Sequence, residues 1–287
     1  MKHLLPCLLI LSLLVLSIPA LGEAADRPAP IPEGASVAID LDGDGSEETV
    51  SWTFAPGKYG ENVATLTVEA ADGAALSWPT DLIWASEVYI TDLNGDGAQE
   101  ILLTGDVMSD DYYTFCLRYD RGALYEVLFP DNGRGNATDG YFKYGYGMIV
   151  DIGENSVTLS GSQDVLGTWF ASRTVALAPS GHFEFSDDGL WRRDPADPDD
   201  ADLWAHRALT VTQPLPYTDL QGNPAGTLEP GAKIYICASD KETVVHFTAQ
   251  DGVTGVLAIA RNYERDWGRL VDGIPEDECF EVIPYAD

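Results

Sequence analysis

The sequence predicts an all-β protein built from two units. Apolar and polar residues alternate with a period of two in segments such as 50–54, 64–68 and 156–159, which is the pattern of half-buried strands. Clusters of glycine, aspartate and proline separate these segments at hairpin spacing. No long window has the 3.6-residue period of an amphipathic helix. We therefore expect strands joined by short turns along most of the chain.

The N-terminal segment, residues 1–22, has the composition of a secretory signal peptide. Lys2 supplies a positive start, an apolar run follows, and Ala20-Leu21-Gly22 offers small residues for cleavage. An uncleaved anchor is the alternative, but the apolar run is shorter than the roughly 20 residues that span a bilayer. We expect a secreted or cell-surface protein that has no membrane contact after cleavage.

The rest of the chain divides at changes in composition. Residues 23–34 form a proline-rich spacer, and an acidic segment with two prolines at 192–207 predicts a linker. Two units follow from these breaks: a larger β domain at 35–191 and a smaller one at 208–287.

The net charge of the chain limits the classes of molecule that it can bind. The chain carries 47 acidic and 16 basic residues, for a formal net charge of −31. This charge repels phosphate backbones, so nucleic acid is excluded as a partner, whereas divalent cations and basic surfaces are favoured.

Beyond the signal peptide, the chain contains three cysteines, Cys116, Cys237 and Cys279. A disulfide between the last two and unpaired, buried cysteines are both compatible with this pattern.

Two acidic loops, residues 40–48 and 92–100, share one layout and lie 52 residues apart. Each places side-chain oxygens at loop positions 1, 3 and 5, a glycine at position 6 and a glutamate at position 9, which is the oxygen spacing of a calcium loop. The predicted ligands are Asp40, Asp42, Asp44, the Ser46 carbonyl and Glu48 in the first loop, and Asp92, Asn94, Asp96, the Ala98 carbonyl and Glu100 in the second.

These loops differ from a helical EF-hand, which needs a bidentate glutamate at position 12. Ser51 and Leu103 occupy that position here, and strand-like segments flank both loops. Gly45 and Gly97 are expected where the chain turns sharply. The alternative is a pair of acidic hairpin turns without metal. Because Asn94 is neutral where Asp42 is charged, we expect the first loop to bind Ca²⁺ more tightly.

The second loop with the residue that follows it, 92–101, resembles the FG-GAP or VCBS-type repeat of secreted and surface proteins, and the first loop resembles a second copy. The resemblance implies β-propeller blades or related β modules in which calcium clamps a loop between strands. A full propeller needs more blades than this chain can hold, so we expect a propeller-blade-like β domain that is truncated or divergent.

The C-terminal unit resembles a bacterial SH3-type (SH3b-like) barrel through the segments 226–234 and 251–257. In that family such modules often bind cell-wall peptides or peptidoglycan. The resemblance implies a small β-barrel with an aromatic ligand surface, for which the candidates are Tyr217, Tyr235 and Trp267. Phe247 and Val256 depart from the aromatic pattern of the family, which weakens the inference of an aromatic groove.

No catalytic motif is present. The sequence lacks an HExxH, a CxxC and a Gly-x-Ser-x-Gly elbow. We therefore expect a secreted, calcium-stabilised, non-enzymatic protein that binds a cell-wall component or surface protein. Two alternatives stay open: a cell-wall or polysaccharide hydrolase with an unrecognised carboxylate pair, which 47 acidic residues do not exclude, and a purely structural or adhesive protein.

Overall fold

The computed structural model describes residues 28–58, 60–108, 111–130, 141–193, 199–263 and 268–285. The predicted signal peptide, most of the spacer and the candidate Trp267 lie outside these ranges. Within them the protein is all-β, as predicted, and every strand pairing is antiparallel. The described helices are a five-residue π-helix at Leu203–Arg207 and the short α1 at Glu276–Cys279. Neither is long enough to cross a bilayer.

The first module is a four-stranded meander, and a second follows with the same strand order. The strands of the first are β1 (Ser36–Ile39), β2 (Glu48–Pro56), β3 (Asn62–Glu69) and β4 (Ala75–Pro79). Those of the second are β5 (Trp84–Thr91), β6 (Glu100–Asp106), β7 (Tyr112–Asp120) and β8 (Ala123–Glu126). Each acidic loop joins the first two strands of its module, so the repeat seen in the loops extends to whole sheets.

The central strand of the second module is buried on both faces. All seven residues of β6 are buried. Val88, Ile101 and Leu103 pack in one apolar cluster with the first module, whereas Tyr89 and Leu102 pack in another with the rest of the chain. A strand covered on both sides favours a continuous run of apolar residues. This is why 101–103 is a continuous apolar run rather than an alternating one.

A third meander follows without an acidic loop. A short pair, β9 (Phe129–Pro130) and β10 (Tyr141–Phe142), and the single strand β11 (Gly145–Tyr146) on β7 precede it. The meander consists of β12 (Met148–Gly153), β13 (Ser156–Asp164), β14 (Thr168–Leu177) and β15 (Phe183–Phe185). Its first hairpin turns at Glu154 and Asn155.

The C-terminal strands belong to the same hydrogen-bonded sheet as the third meander. They are β16 (Trp191–Arg192), β17 (Leu209–Thr210), β18 (Leu215–Thr218), β19 (Pro224–Leu228), β20 (Lys233–Ser239), β21 (Val244–Ala249), β22 (Thr254–Arg261), β23 (Arg269–Val271) and β24 (Ile274–Pro275). β16 pairs with β14 on one side and with β20 on the other.

The predicted linker at 192–207 is therefore built into the structure at both ends. Arg192 is part of β16, and Leu203 and Trp204 of the π-helix are buried against Tyr235. Residues 194–198 lie outside the described ranges. One apolar cluster includes side chains from both predicted units, so the described parts of the two units share a core.

Trp191 is the centre of the contact between the units. Its side chain is fully buried, with the Arg173 guanidinium 4.5 Å from its ring centre and the Lys241 ammonium 5.1 Å away. Arg173 belongs to β14, and Lys241 lies in the turn between β20 and β21. One indole thus holds a cation from each unit, an arrangement that stabilises desolvated charge by cation–π attraction.

The C-terminal segment provides a second connection. The Thr168 amide donates to the Pro284 carbonyl at 3.0 Å, which ties residues 283–285 to the turn between β13 and β14. The Tyr285 hydroxyl donates to Glu276 Oε2 at 2.9 Å. The three described cysteines, Cys116, Cys237 and Cys279, are free thiols. The two units are therefore joined by noncovalent contacts within the described residues.

We predict that Trp191→Ala lowers the unfolding free energy of the whole chain by about 3–5 kcal/mol, because it empties a buried site that both units line. Urea unfolding followed by fluorescence and circular dichroism should show one shifted transition. Trp84→Ala is the matched control, since this indole is 58% exposed and should change stability by less than about 0.5 kcal/mol. Two separate transitions, of which only one moves, would contradict the shared core.

Candidate metal centre

The first acidic loop, between β1 and β2, is organised around Asp40. Its two carboxylate oxygens accept the amides of Gly43 and Gly45, both at 2.9 Å. Both glycines have left-handed backbone angles, with φ of 73° and 90°, which side chains disfavour. The turn predicted at Gly45 is confirmed. The loop backbone therefore folds around the carboxylate at position 1.

Three carboxylates converge in this loop. Ligand oxygens of Asp40, Asp42 and Glu48 all lie within 4.8 Å of one another. Oxygens that share one Ca²⁺ at 2.3–2.6 Å are at most about 5 Å apart, so this spacing suits a single ion. Glu48 is 3% exposed and accepts the Leu41 amide at 3.0 Å. The donor set therefore fits a hard divalent cation.

Asp44, another predicted carboxylate ligand of this loop, stands outside that group. Asp44 Oδ1 accepts the Ser46 amide at 2.7 Å, and both residues are exposed. The Asp44 carboxylate therefore stabilises the turn through this hydrogen bond. Asp42 has a further role, because its Oδ2 accepts the Arg121 amide from the turn between β7 and β8 at 3.0 Å.

The second loop, between β5 and β6, repeats the same hydrogen bonds. Asp92 accepts the amides of Gly95 and Gly97 at 2.8 and 2.9 Å, and Gly97 has a φ of 89°. The prediction for Gly97 is likewise confirmed. Three further bonds complete the pattern: Asp96 N–H to Asn94 Oδ1 at 3.1 Å, Ala98 N–H to Asp96 Oδ1 at 2.9 Å, and Leu93 N–H to Glu100 Oε2 at 2.8 Å. The two loops share one backbone design.

A basic side chain distinguishes the second loop. Arg118 Nη2 lies 2.5 Å from Asp96 Oδ2, and Arg118 Nε lies 2.9 Å from Glu100 Oε1. The hydrogen bond from Arg118 is the main cause of a lowered pKa at Asp96. Burial raises the pKa of Glu100, while the Leu93 amide and the Arg118 charge act in the opposite direction. The cation that this loop contacts is thus a guanidinium of the chain itself.

Arg118 is not among the residues predicted from the sequence, because nothing in its neighbourhood marks it. It is a single basic residue in β7, 18 positions after Glu100. The pairing of β6 with β7 places it directly opposite Glu100. Only the strand register, which a motif search does not use, reveals this contact.

The loops also dock successive modules onto one another. The Gln99 amide of the second loop donates to the Leu41 carbonyl of the first at 2.8 Å, and the Asn155 amide of the third meander donates to the Leu93 carbonyl at 2.7 Å. Leu41 and Leu93 occupy the same loop position and are both buried. One contact type therefore joins the first module to the second and the second to the third.

The candidate ligand residues of the C-terminal unit have different environments. Tyr235 is 8% exposed and packs edge-on against Trp204 with ring centres 5.7 Å apart. The structure thus places it in the interior, contrary to its prediction as a ligand surface, because the π-helix covers it. Tyr217 is half-buried against Phe247 and lines a groove. Trp267 lies outside the described residues.

The Tyr217 groove has a volume of about 480 Å³. Its polar lining includes Glu229, Lys233, Gln250 and Asp251. The tyrosine ring is held between two glycines: a Cβ at Gly226 would lie 2.7 Å from the Tyr217 hydroxyl oxygen, and one at Gly255 would lie 2.5 Å from the ring. Both glycines are thus needed for this ring position.

Comparisons of the chain with protein-family models, with curated proteins and with solved structures found no match.

We predict that, in chelator, Asp40→Ala is less stable than Asp44→Ala by about 1 kcal/mol, because Asp40 serves two loop amides and Asp44 serves one. Both variants remove one charge from the same acidic loop, so their difference in urea unfolding free energy isolates the hydrogen bonds. Equal stabilities would show that Asp40 does not organise the loop without metal.

Proposed function

We propose that this chain is a secreted, calcium-stabilised, non-enzymatic protein that binds a cell-wall component. The observation that carries the calcium assignment is the convergence of Asp40, Asp42 and Glu48 in the first loop. Three carboxylates at this spacing repel one another, and a hard cation removes that repulsion. Secretion is supported by the signal-like composition of residues 1–22.

The position of the first loop suggests a structural use for calcium. Asp42 contacts the turn between β7 and β8, and the Leu41 carbonyl accepts from the second loop. An ion held by Asp40, Asp42 and Glu48 would therefore fix the loop at the junction of the first two modules. We interpret the metal as a structural ion that links two sheets, and not as a metal that binds a ligand.

The proposal also covers the architecture of the two units. Three successive antiparallel meanders support a propeller-blade-like arrangement of the FG-GAP or VCBS type, and two of them carry the acidic loop. In the C-terminal unit, β20, β21 and β22 form a meander, and Thr218 of β18 pairs with Val256 of β22. This pairing supports an SH3b-like module.

The Tyr217 groove is the proposed binding surface. It is lined by Tyr217 and by the acidic residues Glu229 and Asp251, and the Lys233 ammonium donates to the Trp204 carbonyl at 3.0 Å. A groove lined by an aromatic residue and two acidic residues suits an amine-bearing group. Stem peptides of a cell wall that carry free amines would have this chemistry.

Calcium removal should lower thermal stability. If the first loop binds with a Kd near 10⁻⁴ M, about 1 mM Ca²⁺ adds about 1.4 kcal/mol, which corresponds to about 3–6 °C in Tm for a chain of this size. The measurement is a thermal melt in Ca²⁺ and in chelator. Asp42→Ala should abolish the difference in Tm between the two conditions. A wild-type Tm that is the same in Ca²⁺ and in chelator would contradict the proposed metal site.

Binding to the cell wall should depend on Tyr217. We expect wild-type protein to sediment with purified peptidoglycan and Tyr217→Ala to lose at least about tenfold in affinity, since stacking and pocket contacts of one aromatic contribute more than about 1.4 kcal/mol. Tyr263→Ala is the control, because this ring is 91% exposed and lies outside the groove. Equal sedimentation of all three would reject the groove, and release of soluble sugar or muropeptide would reject the non-enzymatic assignment.

A further inference from the structure

We infer that Arg118 is the resident cation of the second acidic loop, so that the chain binds one Ca²⁺ through the first loop and none through the second. The inference rests on the proposed function for the first loop only. It departs from the prediction of two calcium sites. The evidence is the environment of two carboxylates of the second loop, Asp96 at position 5 and Glu100 at position 9.

Arg118 engages two of the predicted metal ligands of the second loop, the carboxylates at positions 5 and 9. Its Nη2 and Nε atoms contact Asp96 Oδ2 at 2.5 Å and Glu100 Oε1 at 2.9 Å. Glu100 is fully buried, and its Oε1 accepts no hydrogen bond from the described residues, so the guanidinium is the charge partner of this oxygen. A Ca²⁺ bound to the same two oxygens at about 2.4 Å would have to share them with a positive group already in contact.

The guanidinium is well held in this position. The side chain of Arg118 is 26% exposed, and its backbone pairs with that of Glu100 across β6 and β7. The bond from Arg118 to Asp96 is a charge-assisted hydrogen bond, one of the stronger polar contacts in proteins. An arginine also keeps its charge at any physiological pH, so the pairing does not depend on protonation of the base.

Among the described residues, no basic side chain forms an ion pair with the first loop as Arg118 does with the second. Thr49 pairs with Glu69 across β2 and β3, and extending that register by one residue places Ala70 opposite Glu48. The nearby Arg121 does not fill the gap, because its side chain is 89% exposed and its guanidinium lies 3.6 Å from Asp120. The same position thus carries a cation in one module and a methyl group in the other.

The rest of the second loop remains suited to a metal. Its amides bind Asp92 and Glu100 as those of the first loop bind Asp40 and Glu48. Removing the guanidinium would therefore leave oxygens at loop positions 1, 3, 5 and 9 on an unchanged backbone. We infer that a single substitution converts this loop into a calcium site.

The test is isothermal titration of the full chain with CaCl₂ after chelation. Wild type should bind one Ca²⁺, Asp42→Ala none, Arg118→Ala two, and the double variant one. Arg118→Lys is the matched control: it keeps the positive charge and should bind one. Two sites in wild type, with one lost in Asp96→Ala, would overturn the inference, as would a folded Arg118→Ala that still binds one.

A reciprocal variant covers the case in which Arg118→Ala does not fold without metal. Ala70→Arg places a guanidinium opposite Glu48, and we expect it to reduce calcium affinity at the first loop at least tenfold while the Tm in chelator stays at or above that of wild type. Unchanged affinity in a folded Ala70→Arg would count against the inference.

The two proposals fail separately. A wild type that binds no calcium, with an Arg118→Ala that binds one, would refute the first-loop metal and keep the role of Arg118. A wild type with one site that survives Asp42→Ala and disappears in Asp96→Ala would refute the role of Arg118 directly.

Discussion

Two buried glutamates impose the constraint on which the acidic loops depend. Glu48 and Glu100 begin the second strand of their modules, and each accepts the amide of a buried leucine, Leu41 or Leu93. A carboxylate in such a position is costly unless a positive group compensates it. The second module supplies that group as Arg118, whereas the first presents Asp40 and Asp42 beside Glu48 and so favours an added cation.

These loops matter because they lie where sheets meet. The carbonyl of each buried leucine accepts a hydrogen bond from an amide of the following module. The conformation of each loop therefore affects how its sheet packs against the next. The second sheet contributes side chains to two apolar clusters, and its central strand β6 is buried at every residue. A disturbance in the first loop would reach this sheet through Leu41 and Asp42, which is why a bound ion there would act on the fold.

The coupling continues into the C-terminal unit. β16 bridges β14 and β20, and Trp191 packs between Arg173 and Lys241. The Tyr217 groove therefore sits on a unit whose orientation is set by the larger domain. For a protein proposed to bind an extended polymer, such an attachment would hold the groove in a defined direction relative to the rest of the chain.

The sequence by itself determined the strand content, the turn positions and the two acidic loops, because these follow from local periodicity and from the backbone freedom of Gly45 and Gly97. It also singled out Asp40, Asp42 and Glu48, whose carboxylates converge in the structure, since they lie in one short loop. Only the tertiary structure decided that Arg118 contacts the second loop, that Tyr235 is buried under the π-helix, and that Arg192 belongs to a strand. Each of these depends on pairing between residues distant in the chain, as between Glu100 and Arg118, and local patterns carry no information about strand register.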